Sequence, residues 1–174
     1  MKDITIISSS NREENKSKLF AELCAKLLED QGVNARIFSL QDLPIIQSGA
    51  EMYDYENSPV SQIVEKYLTP VDKLIFVVPE YNGSFPGILK LFIDSVKPKH
   101  FNFKKAALVG ISSGRAGNVR GMDHLTNILN YVKVDVFHHK LPIASIDHML
   151  TEGVIKDEAV INRMNDLVTD FIRF

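Results

Sequence analysis

The hydrophobic and polar positions of the chain follow two alternating patterns. Short runs rich in β-branched and other apolar residues recur at 4–7, 33–38, 74–78, 106–111 and 134–137. Runs of this length are typical of strands, and one without polar alternation, as at 74–78, is typical of a parallel strand covered on both faces. Between the runs, apolar residues recur every three or four positions, which is the spacing of one helix face. The pattern predicts strands and helices in alternation.

Helical spacing begins near Ser17, after Pro59, after Pro86 and near Val119, and it returns at the end of the sequence. This alternation predicts a parallel sheet with right-handed crossovers and helices on both faces. Five strands in a chain of this length favour an α/β, flavodoxin-like three-layer sandwich whose five-stranded parallel sheet has the order 2-1-3-4-5. No linker, repeat or low-complexity tract interrupts the pattern, so residues 1–174 are expected to form a single domain.

Two segments depart from the regular alternation. The fifth strand is expected to have a broken continuation near 141–146. Residues 41–58, which include Pro44, Gly49 and several acidic residues, are expected to form a surface excursion that could border a binding site.

The composition narrows the classes of function. The 174 residues contain 20 Lys and Arg against 22 Asp and Glu, a formal net charge of -2. This balance gives no general attraction to nucleic acid or to an anionic membrane, so neither is expected as a partner. Cys24 is the single cysteine, which excludes an intrachain disulfide and favours the reducing cytoplasm. The sequence shows neither a signal peptide nor an apolar stretch long enough for a bilayer.

Three loops rich in small or polar residues follow predicted strands, at 8–17, 79–84 and 112–117. Ligands of an open parallel sheet bind beyond the carboxyl ends of its strands. We therefore expect the three loops to converge on a ligand site.

The first loop ends at a helix N-terminus, where backbone N–H groups and the helix dipole favour an anion. Short polar side chains add hydrogen-bond donors, and Arg12 adds a bidentate cation for phosphate oxygens. Ser and Asn are also common helix caps without any ligand, so both interpretations stay open at this point. Glu13 and Glu14 disfavour an anion.

The second loop combines turn residues with aromatic ones directly after the central strand. Gly83 permits a positive φ or a close backbone approach, and Pro86 is well placed to open the next helix. A flat ligand could rest on such a backbone, whose N–H and C=O groups would contact its polar edge. A tight turn with Tyr81 and Phe85 packed in the core is the alternative.

The stretch Pro79-Glu-Tyr-Asn-Gly-Ser-Phe-Pro-Gly87 and the helix that follows it closely resemble the signature of the NADPH-dependent FMN reductase family. The loop at 9–17 is similar to that family's phosphate loop, and 112–117 to its third flavin loop. The order and spacing of the three agree, and the similarity covers essentially the whole chain. The phosphate loop departs from the family at Ser9 and Glu14, where glycine is usual, and Glu14 adds a negative charge.

The resemblance implies which residues bind FMN. Its phosphate would be held by the side chains of Ser10, Arg12, Asn15 and Ser17 and by the amide of Lys16. Its isoalloxazine ring would be lined, mostly through backbone groups, by Pro79, Glu80, Tyr81, Asn82 and Gly83. The pyrimidine side of the ring would be flanked by Ser112, Gly114 and Arg115. No side chain is expected to act as a catalytic acid or base.

The activity implied by the resemblance is an NAD(P)H-dependent FMN-containing reductase. Hydride would pass from NADPH or NADH through flavin N5 to a small acceptor such as a quinone, an azo compound, a metal oxyanion or free flavin. A homodimer or homotetramer with the flavin near the interface is also implied. One alternative is a flavodoxin-like one-electron carrier, although the near-neutral charge differs from the acidic face such carriers usually have. Another is a non-catalytic flavin-binding protein on the same fold.

The remaining residues with reactive or charged side chains give weaker evidence of a functional site. Cys24 lies on an apolar helix stripe and is expected to be buried. The pair His138-His139 lies on neighbouring strand positions that face opposite ways, so no metal site is expected. The lysines between 97 and 105 could attract NADPH or form a solvated turn.

Overall fold

The strands predicted from the apolar runs form one sheet in the computed structural model, which describes residues 3–44, 53–55, 57–151 and 153–174. The strands are β1 (Ile4–Ser8), β2 (Ala35–Ser39), β3 (Lys73–Pro79), β4 (Lys105–Ile111) and β5 (Asp135–Val136). They lie in the order β2-β1-β3-β4-β5, and all neighbouring strands are parallel. This order confirms the predicted flavodoxin-like topology.

The fifth position of the sheet is shared by two short strands. β5 pairs with the first residues of β4, and β6 (Leu141–Ile143) pairs with its last three, from Val109 to Ile111. The broken continuation expected near 141–146 is therefore β6, which ends at Ile143. Its central residue is Pro142, and proline is tolerated where a strand lies at the edge of a sheet.

Helices cover both faces of the sheet. They are α1 (Lys16–Glu29), α2 (Val60–Ile63) with a π-helical turn at Val64–Leu68, α3 (Gly87–Asp94), α4 (Val119–Tyr131) and α5 (Glu158–Arg173). Short 3-10 turns occur at Leu40–Asp42, Pro98–His100 and Ile146–His148. None of the described helices combines the length and the apolar character that a bilayer crossing requires.

An antiparallel pair, β7 (Leu150–Thr151) and β8 (Val154–Ile155), was not predicted, because two-residue strands are too short for a recognisable pattern. Of the excursion expected at 41–58, residues 45–52 and 56 lie outside the described residues.

The core consists of two apolar clusters, one on each face of the sheet. Alternate residues of β3 point to opposite faces, so that Ile75 and Val77 join the first cluster while Leu74, Phe76 and Val78 join the second. Helices α1 and α5 close the first cluster, and α2, α3 and α4 close the second. Burial on both faces explains why the run at 74–78 has no polar alternation.

The amino end of the sheet holds the carboxyl end of α5. Lys73 Nζ donates hydrogen bonds to the carbonyl oxygens of Phe171 and Ile172, at 2.9 and 2.8 Å. Lys105 Nζ donates to the carbonyl of Phe174. Cations at this position satisfy carbonyl groups that have no partner within the helix and complement its dipole.

Cys24 lies fully buried in the first cluster, and burial raises the pKa of its thiol to about 12. Because the thiolate is the reactive species, we expect the folded protein to resist iodoacetamide at mildly alkaline pH. A sample unfolded in denaturant should be alkylated completely under the same conditions, as measured by intact mass. Rapid stoichiometric alkylation of the folded protein would contradict the buried position.

Candidate functional site

The carboxyl ends of β1, β3 and β4 meet at one edge of the sheet, where the structure contains a cavity of about 320 Å³. All three polar loops contribute to its wall, as their position after parallel strands predicts. The lining residues are Arg12, Glu14, Asn15, Lys16, Ser17, Pro79, Glu80, Tyr81, Ile111, Ser112, Ser113 and Ile146. A volume of this size lies at the lower end of the range for small-molecule sites, roughly 300 to 1,000 Å³.

Asn15 organises the first loop from the N-cap position of α1. Its Oδ1 accepts a hydrogen bond from the backbone N–H of Ser17, at 3.0 Å. Its Nδ2 donates to Ser8 Oγ at 3.1 Å and to the carbonyl of Ser10 at 2.7 Å. Both amide hydrogens and the oxygen are therefore used inside the protein. In this structure the Asn15 side chain holds the loop that precedes α1, and its hydrogen-bonding groups all have partners within the protein.

The two serines assigned to the phosphate are buried and also have protein partners. Ser17 Oγ is bonded to Asn15 Oδ1 and lies 3.1 Å from Ser8 Oγ. Ser10 Oγ shares a 2.5 Å hydrogen bond with the hydroxyl of Tyr81. This last contact joins the first loop to the second.

Cations and carboxylates are mixed at the α1 end of the cavity. The Arg12 guanidinium lies 4.1 Å from the centre of the Tyr81 ring, a cation–π contact. Lys16 Nζ pairs with a carboxylate oxygen of Asp147, and Glu14 also lines the cavity. Hydrogen bonds from Lys16 and then from Ser113 hold the pKa of Asp147 below its usual value.

The second loop folds as a two-residue turn. Tyr81 and Ser84 exchange both backbone hydrogen bonds, at 2.9 and 3.1 Å. Asn82 and Gly83 lie between them with φ values of 52° and 75°. Positive φ at both central positions is the type I′ geometry that Asn-Gly favours, so the expected positive φ at Gly83 is confirmed. Asn82 and Gly83 form the tip of the turn and do not line the cavity.

The third loop is fastened to the segment after β6. Ser112 Oγ accepts from the N–H of Gly117 and donates to the carbonyl of Gly114, both at 2.9 Å. The N–H of Ser145 also donates to the Gly114 carbonyl, at 2.8 Å. These bonds hold Gly114 away from the cavity, and the exposed Arg115 does not line it either. Ser113 lines the cavity instead.

Asn118 and Gly121 position the second loop and were not identified from the sequence. Asn118 is 1% exposed and left-handed, with φ 59°. Its Nδ2 donates to the carbonyls of Val78 and Pro79, at 3.0 and 3.1 Å. At Gly121 an added Cβ would lie 2.1 Å from Asn118 Oδ1 and 2.7 Å from the carbonyl carbon of Ser84. Helix α4 therefore packs directly on the second loop.

A sequence signal for this contact existed. Gly117 and Asn118 stand directly before α4, and both have positive φ. Glycine and asparagine are the residues that most readily adopt the left-handed conformation. Two such residues in succession before a helix indicate that the backbone must turn sharply in the left-handed conformation to enter the helix.

The site has the chemistry of a binding site for a phosphate ester joined to a flat group. The N-terminus of α1, two cations and several hydroxyl groups provide donors, and Pro79, Glu80 and Tyr81 of the second loop line the same cavity. Within the described ranges, no three His, Cys, Asp or Glu side chains lie close enough to hold a metal ion. This donor set is compatible with a flavin mononucleotide, which joins a phosphate ester to a flat ring.

A family model described as NADPH-dependent FMN reductase matches residues 2–147. An NAD(P)H-dependent FMN reductase of Pseudomonas aeruginosa is 31% identical over 106 residues, which is 59% of this chain and 56% of that protein. A 2-hydroxy-1,4-benzoquinone reductase of a Burkholderia species is 26% identical over 75% of this chain and 72% of its own length. An FMN-dependent NADPH-azoreductase of Staphylococcus aureus is 31% identical over 66% and 62%. The match thus spans little more than half of the Pseudomonas protein.

Solved structures agree on the fold. An NAD(P)H:(acceptor) oxidoreductase flavoenzyme of Paracoccus denitrificans superposes with a TM-score of 0.79 at 22% identity, covering 99% of this chain and 96% of that one. An apo NADH:FMN oxidoreductase gives 0.74 at 20% identity, covering 98% and 88%. An archaeal flavodoxin gives 0.66 at 14% identity, covering 98% and 95%.

Proposed function

The chain belongs to the NADPH-dependent FMN reductase family, and from that membership we propose that it binds FMN in the cavity and uses NADPH or NADH to reduce a small acceptor. The observation that carries this proposal is the convergence of the three loops, in the order the family motif requires, on one cavity at the carboxyl edge of the sheet.

The α1 end of the cavity would hold the phosphate of FMN. The first-turn N–H of Lys16 has no acceptor within the helix, and the helix dipole favours an anion there. Arg12 and Lys16 would supply the positive charges. Ser10 does not line the cavity, but its hydroxyl accepts a hydrogen bond from the backbone N–H of Arg12, at 3.3 Å. Asn15 and Ser17 would act indirectly, by fixing the path of the backbone around the phosphate.

The second and third loops would hold the ring. The cavity is lined by Pro79, Glu80 and Tyr81 of the second loop and by Ser112 and Ser113 of the third. FMN, when bound, supplies the hydride chemistry between a nicotinamide and a second substrate, and the protein supplies position and electrostatics. Ser112 Oγ is bonded to Gly114 and Gly117, which supports its role in holding the third loop rather than in acid–base chemistry.

The acceptor we propose is a small quinone, an azo compound or a similarly reducible molecule. The names of the Burkholderia and Staphylococcus aureus relatives, a benzoquinone reductase and an azoreductase, support these two classes. Neither a nucleic acid nor a membrane is part of the proposal.

We also propose that residues 1–174 form one domain that acts in the cytoplasm as a homodimer. Cys24, fully buried and unpaired, supports a reducing compartment. An apolar groove of about 550 Å³ between α3 and α4 supports the dimer, because Tyr131 at its wall is 88% exposed. Light scattering during size-exclusion chromatography should give twice the mass of 19.6 kDa; a monomer at all concentrations would contradict the dimer.

The first test of the activity is a visible spectrum of the purified protein with FMN, followed by anaerobic NADPH. We expect saturable binding and then rapid loss of the oxidised flavin absorbance, restored by a quinone. Repeating the experiment with NADH would identify the preferred donor. FMN binding without bleaching by either nucleotide would contradict the reductase and favour a carrier or a non-catalytic flavin protein.

A further inference from the structure

An ion pair lies at the end of the cavity that would hold the phosphate. Lys16, the first residue of α1, binds the carboxylate of Asp147, which lies in the 3-10 turn after β6. Ser113 of the third loop hydrogen-bonds the same carboxylate. Lys16, Ser113 and Ile146, the neighbour of Asp147, all line the cavity. Asp147 therefore engages Lys16, the cation of the proposed phosphate end, and also contacts the third loop.

The pair can exchange partners. The side chains of Lys16 and Asp147 are 43% and 44% exposed. Ion pairs with this exposure are weak, so a phosphate could displace the carboxylate from Lys16. The displaced carboxylate would stay on its short turn, next to the incoming anion.

The charge balance near the cavity also opposes an anion. Arg12, Lys16 and Glu14 line the cavity, Asp147 pairs with Lys16, and Glu13 lies in the same loop. The positive charges are matched before the phosphate arrives. The electrostatic attraction for the phosphate then comes mainly from the N-terminus of α1, where the helix dipole corresponds to roughly half a positive charge.

We propose that Asp147 competes with the phosphate of FMN for Lys16, and thereby sets a weak affinity for FMN and a low preference for FMN over riboflavin. This inference rests on the proposed function, because it takes a flavin as the ligand. The consequence is that FMN exchanges with the solution between turnovers and behaves as a substrate.

Riboflavin, which lacks the phosphate, separates this effect from contacts to the ring. Dissociation constants of FMN and riboflavin are measured by quenching of flavin fluorescence for the unaltered protein, Asp147→Asn and Asp147→Ala. Both substitutions should tighten FMN about tenfold, since each removes one negative charge beside the phosphate. Riboflavin should change by less than about twofold, because no charge interaction of comparable size is lost.

Asp3→Asn is the matched control. Asp3 also pairs with a cation, Arg36 at 2.5 Å, and lies just before β1, at the opposite edge of the sheet from the cavity. The substitution removes the same charge and the same kind of ion pair. Neither dissociation constant should change.

Three outcomes would overturn the inference. Unchanged or weaker FMN binding in both Asp147 variants would show that the ion pair stabilises the site and does not compete with the phosphate. Equal tightening of FMN and riboflavin would place the effect at the ring. If neither the unaltered protein nor any variant binds either flavin, the proposed function fails together with this inference. If riboflavin binds normally but the dissociation constant of FMN does not change in the Asp147 variants, the inference alone is overturned.

Discussion

Alanine at position 121 is expected to lower the free energy of unfolding by about 2 kcal/mol and to weaken FMN binding about tenfold. A Cβ there would lie 2.1 Å from Asn118 Oδ1 and 2.7 Å from the backbone of Ser84. Neither neighbour can move freely. Asn118 is buried and bonded to the carbonyls of Val78 and Pro79, and Ser84 is held in its turn. Helix α4 must therefore shift away from the second loop.

Gly87→Ala is the matched control for Gly121→Ala. Both glycines lie in the first turn of a helix, but a Cβ at Gly87 would contact nothing within 4 Å. Since alanine favours the helix, Gly87→Ala should leave stability unchanged or raise it by up to about 1 kcal/mol. Urea unfolding and FMN titration measure both effects. Equal unfolding free energies and equal FMN affinities of the two variants would show that close packing of α4 on the second loop is not required for stability or binding.

Removal of the Asn15 side chain is expected to cost about 2 kcal/mol of unfolding free energy and to weaken FMN binding about tenfold. The cap bond to Ser17 is lost, together with the bonds to Ser8 Oγ and the Ser10 carbonyl. The first loop then loses the contacts that fix its path around the helix N-terminus. Chemical denaturation and flavin titration of Asn15→Ala would measure the two losses.

Asp157→Ala is the matched control for Asn15→Ala, because it removes a helix cap without removing any contact of the first loop. Asp157 caps α5 by accepting one hydrogen bond from the N–H of Val160, at 3.0 Å. Its removal should cost about 1 kcal/mol with no change in FMN affinity, because it does not line the cavity. If Asn15→Ala loses stability but retains full FMN affinity, then the first loop does not depend on Asn15 for its shape.

Much of the fold is present in the sequence as local pattern. The apolar run at 74–78 identifies the central strand, since Leu74 and Ile75 face opposite clusters. The helix predicted to begin near Val119 does begin at that residue. Such elements depend on periodicity, which a single sequence contains. The locations of the three loops then follow from the parallel topology.

The contacts inside the site could not be derived in this way. Asn15 looks like a phosphate donor in the sequence, but its amide is used by Ser8 and Ser10 once β1 lies beside the loop. Asp147 lies 131 residues beyond Lys16, and their pairing depends on how β6 is placed against β4. Hydrogen-bond partners of this kind are fixed by tertiary approach, which leaves no periodic signal. The roles of the predicted FMN ligands remain predictions until a flavin is titrated.

The division of the core into two clusters has a consequence for synthesis on the ribosome. The cluster under α2, α3 and α4 is complete once the chain has emerged as far as Val136. The opposite cluster must wait for α5, which contributes Val160, Met164, Leu167, Val168 and Phe171. Until that helix emerges, one side of the nascent sheet stays half uncovered. This interval is when the chain is most exposed to aggregation and most dependent on chaperones.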